Sequence, residues 1–104
     1  MIEFENLHCH TWDSNTGASA GFPDSPVSIF DYAKEYSKRG MECLVASEHG
    51  FRGNVWDQAD AAAQYEGMKA ICAAEVYFVP KRDPELADGR NFHLLLLAKN
   101  EAGF

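Results

Sequence analysis

The chain has no apolar run approaching the roughly 20 residues needed to cross a bilayer. Its first residues, Met1-Ile2-Glu3-Phe4-Glu5, lack the basic start and apolar core of a signal peptide. Those absences lead to the expectation of a cytoplasmic protein without membrane contact. Basic residues are scarce: 9 Lys and Arg stand against 16 Asp and Glu, a net charge of −7. That balance excludes a chain that grips DNA or RNA through its own basic surface. Cysteine is sparse too, and Cys9, Cys43 and Cys72 are an odd set without close spacing. A zinc knuckle and a disulfide framework are thereby excluded, leaving reduced thiols. No repeat, linker or low-complexity segment divides the 104 residues, so one domain with one modest core is expected.

What is present reads as alternating elements. Phe4 to His10 suits a short strand, followed by an irregular, glycine-containing loop from Trp12 to Asp24. Ser25-Pro26 offers an N-cap and a first-turn proline, and Ile29, Phe30, Ala33 and Tyr36 mark a helical face that Gly40 ends. Cys43-Leu44-Val45-Ala46 is a continuous apolar run suited to a buried parallel strand, with Ser47-Glu48-His49-Gly50 at its far end. A second helix is predicted from Asn54 as N-cap, packing Val55, Trp56, Ala59, Ala62 and Ala63, and stopping at Gly67. Lys69 to Val79 gives a further strand, the charged stretch from Pro80 to Asn91 a loop, and Phe92 to Ala98 the last strand. The order predicts an α/β fold with a mostly parallel sheet, in which ligands collect at the carboxyl ends of the strands.

Chemistry-bearing residues fall at the ends of these apolar segments. His8 and His10 are two apart, so a strand would point both imidazoles to one face, a half-site for a divalent metal. The same alternation turns Cys9 away. The glycine of Glu48-His49-Gly50 permits a turn that aims His49 into such a site, with Glu48 as a ligand or an orienting carboxylate. Glu75 lies within an apolar run, where an inward carboxylate needs a cation or hydrogen-bond donors. His93 opens its strand rather than ending it, so position alone does not group it with the others. In the first loop Asp13 and Asp24 are both candidates for a further ligand.

His8-Cys9-His10-Thr11, Arg39-Gly40-Met41 leading to Ser47-Glu48-His49-Gly50, Ala74-Glu75-Val76-Tyr77, and Phe92-His93-Leu94 through Ala98 to Phe104 together resemble the start of a polymerase and histidinol phosphatase (PHP) domain. The flavour is that of its polymerase branch, the N-terminal PHP domains of bacterial DNA polymerase III α subunits. The resemblance runs in order over essentially the whole chain. It implies that residues 1–104 are the N-terminal portion of a distorted (β/α)7 PHP barrel, its first three to four strands with two helices. It also implies a site for two or three divalent ions (Zn, Mn or Fe), in which His8 and His10 bind one metal, Asp24 and His49 a second, Glu75 bridges, and His93 joins a further position. Asp24 is preferred to Asp13 on this alignment.

Two departures accompany the resemblance. Glu48 stands where the family usually has Asp before His-Gly, and the family's later ligands, a Cys or His and an Asp-x-His pair, have no counterpart. The implied function is therefore that of a metal-binding segment related to phosphoester hydrolysis, of 3′–5′ exonuclease or phosphatase type, with metal binding expected to outlast catalysis. Implied partners are the remaining PHP and polymerase domains or a second copy of the chain, with DNA reached only through the parent polymerase. Half a barrel leaves strand edges open, which predicts a homo-oligomer. The alternatives are a free-standing phosphoesterase completed by oligomerisation and a non-catalytic interaction module.

Overall fold

The computed structural model describes residues 4–16, 24–79 and 92–104. Five principal elements follow in order: α1 (Ile29–Lys38), β1 (Cys43–His49), α2 (Val55–Ala63), β2 (Lys69–Phe78) and β3 (Phe92–Leu97), with 3-10 turns at Trp12–Thr16 and Glu101–Gly103. The sheet has the order β1-β2-β3 and is not closed among the described residues. This is a mixed α/β architecture, consistent with the partial barrel that the resemblance implies. The expected loop from Pro80 to Asn91 and positions 17–23 of the first loop lie outside the described residues.

Both helices start where capping chemistry is strongest. In α1 the cap is Ser28 rather than Ser25: its hydroxyl accepts from the Asp31 N–H at 3.1 Å and donates to the Asp31 carboxylate at 2.7 Å. Ser25 is already engaged, since Asn15 accepts from its N–H and donates to its carbonyl. Ile29, Ala33 and Tyr36 are buried as expected, whereas Phe30 is exposed. In α2 Asn54 caps the N–H groups of Trp56 and Asp57, as the sequence indicates. Its packing face, however, is Gln58, Ala61 and Ala62, and Trp56, Ala59 and Ala63 face out. Gln58 reaches inward because its amide donates to the carbonyls of Leu44 and Ile71 at 2.7 and 2.8 Å, satisfying a buried polar group across two strands.

The helices cover β1 through a core of Ile29, Ala33, Tyr36, Met41, Leu44, Ala46, Ala61 and Ala62. β1 and β2 pair in parallel across α2, as expected for a β-α-β unit. β3 instead runs antiparallel to β2, with Tyr77 opposite His93 and Glu75 opposite Leu95. The expected mostly parallel sheet is thus one parallel pair and one antiparallel pair.

The expected first strand, Phe4 to His10, does not join the sheet. It runs alongside β1, and side chains take the places of ladder bonds. Glu5 accepts from the N–H groups of Glu42 and Cys43 at 2.9 and 3.0 Å, and the Cys9 thiol donates to the Val45 carbonyl at 2.8 Å. One backbone bond, Ser47 N–H to the Cys9 carbonyl at 2.9 Å, pins the far end.

Candidate metal centre

The sheet register gathers the site. His49 lies beside Glu75, and Tyr77, two residues on and on the same face, lies beside His93. Because β3 is antiparallel, its beginning sits at the carboxyl end of β2, which brings in the one histidine that strand order left apart. The segment beside β1 delivers His8 and His10 to the same end.

Glu75 is the hub. Its side chain is only 6% exposed, with His8 Nε2 2.6 Å from Oε2 and His93 Nδ1 2.9 Å from Oε1. His10 Nε2 lies 3.5 Å from Oε2 and His49 Nδ1 3.9 Å from Oε1. Burial pushes the Glu75 carboxyl up, but the His8 hydrogen bond and the charges of His10, His93 and His8 outweigh it and hold the group below its ordinary value. Asp24 forms a second focus: its Oδ2 lies 3.3 Å from His10 Nδ1 and 3.2 Å from His49 Nδ1. Asn15 secures it by accepting from the Asp24 N–H at 2.6 Å.

These residues make three overlapping groups whose ligand atoms lie within 4.8 Å of one another: His8, His10 and Glu75; His10, Asp24 and His49; His49, Glu75 and His93. The donor set fits a borderline divalent cation. Two features of the structure fit it further. His10 Nε2 is buried with no hydrogen-bond partner, an orphaned lone pair or N–H aimed among carboxylates and imidazoles. The 3.2 Å separation of His49 Nδ1 from Asp24 Oδ2 is close to the about 3.3 Å edge of a tetrahedron of donors at zinc-ligand distances.

Glu48 lies outside all three groups. Fully buried, its carboxylate accepts from the Thr11 N–H at 3.1 and 3.0 Å, from the Thr11 hydroxyl at 2.5 Å and from the Ser14 hydroxyl. Ser14 Oγ in turn accepts from the His49 N–H at 3.0 Å. The carboxylate thus ties the turn that follows His10 to the strand end that carries His49. Asp13 also points elsewhere, accepting from the Asn54 N–H at 3.1 Å ahead of α2. Sequence reasoning missed Asn15 and Tyr77. Asn15 carried no local signal, but Tyr77 follows Glu75 at strand spacing and was open to discovery by period alone. A cleft of about 410 Å³ opens beside His8, His10 and Asp24, walled in part by Asn6, Ser25 and Tyr32.

Comparison with known proteins identifies the family. The PHP domain profile matches residues 6–104. The chain belongs to the PHP family. A curated relative, the DNA polymerase III subunit alpha of Treponema pallidum (strain Nichols), is 30% identical over 108 residues that cover 99% of this PHP chain. The chain spans 8% of that relative's length. No solved structure matches it. Among the described residues no helix is long and apolar enough to cross a membrane.

Proposed function

We propose that this chain is the N-terminal portion of a PHP domain of the DNA polymerase III α type, and that it binds two or three divalent metals at the carboxyl end of its sheet. Glu75 carries the reading: a nearly buried carboxylate whose two oxygens face histidines from three separate segments, His8 and His10, His49, and His93, beside an orphaned His10 Nε2. His8, His10 and Glu75 would hold one ion, Asp24 and His49 a second, and His93 would join Glu75 at a further position. A neutral imidazole offers one lone pair and one N–H. His10 therefore serves as ligand through Nε2 while its Nδ1–H faces Asp24, the carboxylate-histidine arrangement that fixes a ligand's tautomer.

Bound metals would supply Lewis acidity toward a phosphoryl oxygen and a hydroxide nucleophile near neutral pH. The chain's own residues contribute placement. Glu75 sets the spacing between positions, Glu48 and Ser14 fix the frame of His10 and His49, and the neighbouring cleft leaves the His8 side open to a substrate. Hydrolysis of a phosphoester, such as a DNA 3′ end, calls for the family's later ligands, so we expect metal binding here without full catalysis. The partners that would supply those ligands are the remaining PHP and polymerase domains or a second copy of the chain, in the cytoplasm.

The test is metal per chain by plasma mass spectrometry on tag-free protein prepared without chelator. We expect near-stoichiometric zinc, manganese or iron, lost in the His8→Ala, His10→Ala, Glu75→Ala triple variant. A folded wild-type chain that carries no metal, and takes up none on addition, would leave the PHP relationship as ancestry and favour a structural module.

A further inference from the structure

The imidazole of His49 is held from both sides. Nδ1 faces Asp24 Oδ2 at 3.2 Å and Glu75 Oε1 at 3.9 Å, while Nε2 contacts the hydroxyl of Tyr77. Tyr77 comes from β2, two residues beyond Glu75, and its ring stands edge-on to both His49 and His93, with centroids 5.3 and 5.2 Å away. We infer that Tyr77 is a positioning residue whose hydroxyl accepts the Nε2–H of His49, so that His49 presents its lone pair from Nδ1 toward Asp24 and Glu75.

Without that acceptor the two tautomers of a neutral imidazole differ little in energy, and a ring flip would turn Nε2 inward instead. Two carboxylates flank Nδ1, so in the absence of a cation a proton on Nδ1 would be favoured there. An acceptor on the opposite nitrogen opposes that choice and prepares the ring for a metal. A phenol suits the task because its oxygen accepts while its own proton stays free to point to solvent. The inference rests on the metal-binding reading of the site, and Tyr77 is 45% exposed, so removing one hydroxyl there leaves the core intact.

The experiment uses zinc alone as the probe on the full chain. Long-range 1H–15N correlation spectra report which nitrogen of each histidine is protonated and which binds metal, with His49 assigned by its loss in His49→Gln. Competition with a chromophoric chelator gives affinity. In zinc-loaded wild type we expect His49 bound through Nδ1 and protonated at Nε2. In Tyr77→Phe we expect zinc affinity to fall about tenfold, the lower end for loss of a partner to a metal-bound histidine, and His49 to divide between its two nitrogens. Wild-type ligation through Nε2 would overturn the inference. So would a Tyr77→Phe protein that matches wild type while Tyr77→Ala is impaired, since the ring rather than the hydroxyl would then matter. Failure of wild type to bind zinc would instead bring down the metal reading and this inference with it.

Discussion

Cys9 sits between two histidines of the site yet belongs to the core. It is 8% exposed, and its thiol is bonded to the Val45 carbonyl. Burial pushes its pKa from 9.0 up to about 11, against a lowering hydrogen bond from Tyr36 and with a further rise from the Glu48 charge. Thiolate is the reactive form, so iodoacetamide at pH 8 is expected to label the partly exposed Cys43 and Cys72 of the folded protein well before Cys9. Mass spectrometry of timed samples checks this. The folded chain holds the Cys9 proton more tightly than the unfolded chain does. Its contribution to stability is therefore complete below pH 9 and lost as pH rises toward about 11, which lowers the urea midpoint over that window. The alternation His8-Cys9-His10 made this division of labour legible in the sequence. Nothing local announced the partners of Glu48, because Thr11 and Ser14 are 37 and 34 residues away along the chain.

At the scale of elements, the legible parts were those set by short-range chemistry. Caps, apolar runs and terminating glycines located α1, α2, β1 and β2 to within a few residues. The faces of α2 were misjudged because Gln58 is polar by composition but buried through its bonds to two strands. The direction of β3 was hidden because a run such as Leu94 to Leu97 reads the same for parallel and antiparallel pairing. The loop after β1 shows how tightly one element constrains another. Gly53 has φ +65°, and a Cβ there would lie 2.6 Å from Cγ of Glu48. Gly53→Ala combines left-handed strain with displacement of the carboxylate that holds Thr11 and Ser14. We expect a loss of about 1–3 kcal/mol in urea unfolding, together with weakened metal binding. Gly50→Ala serves as the control: it has φ +84° with open space at the Cβ position, so it should show the strain without the displacement.

On the scale of the whole molecule, β3 carries an apolar face that is left uncovered among the described residues. Phe92, Leu94 and Leu96 share one face with Phe78 and are 55, 50, 44 and 51% exposed when taken in the order Phe92, Leu96, Leu94, Phe78. Leu97, on the opposite face, is 39% exposed. Among the described residues β3 pairs only with β2, and its sequence carries no lysine, glutamate or proline to guard the free edge. An open, uncharged edge flanked by apolar surface favours pairing with another strand, and in isolation the available strand belongs to a second copy. Light scattering coupled to size exclusion is therefore expected to give a mass above that of one chain. The double variant Leu94→Lys, Leu96→Lys places charge on the outward face beside that edge and should shift the population toward monomer while leaving the metal groups, which use the opposite face, in place. A monodisperse wild-type monomer would show that the exposed face of β3 does not drive self-association.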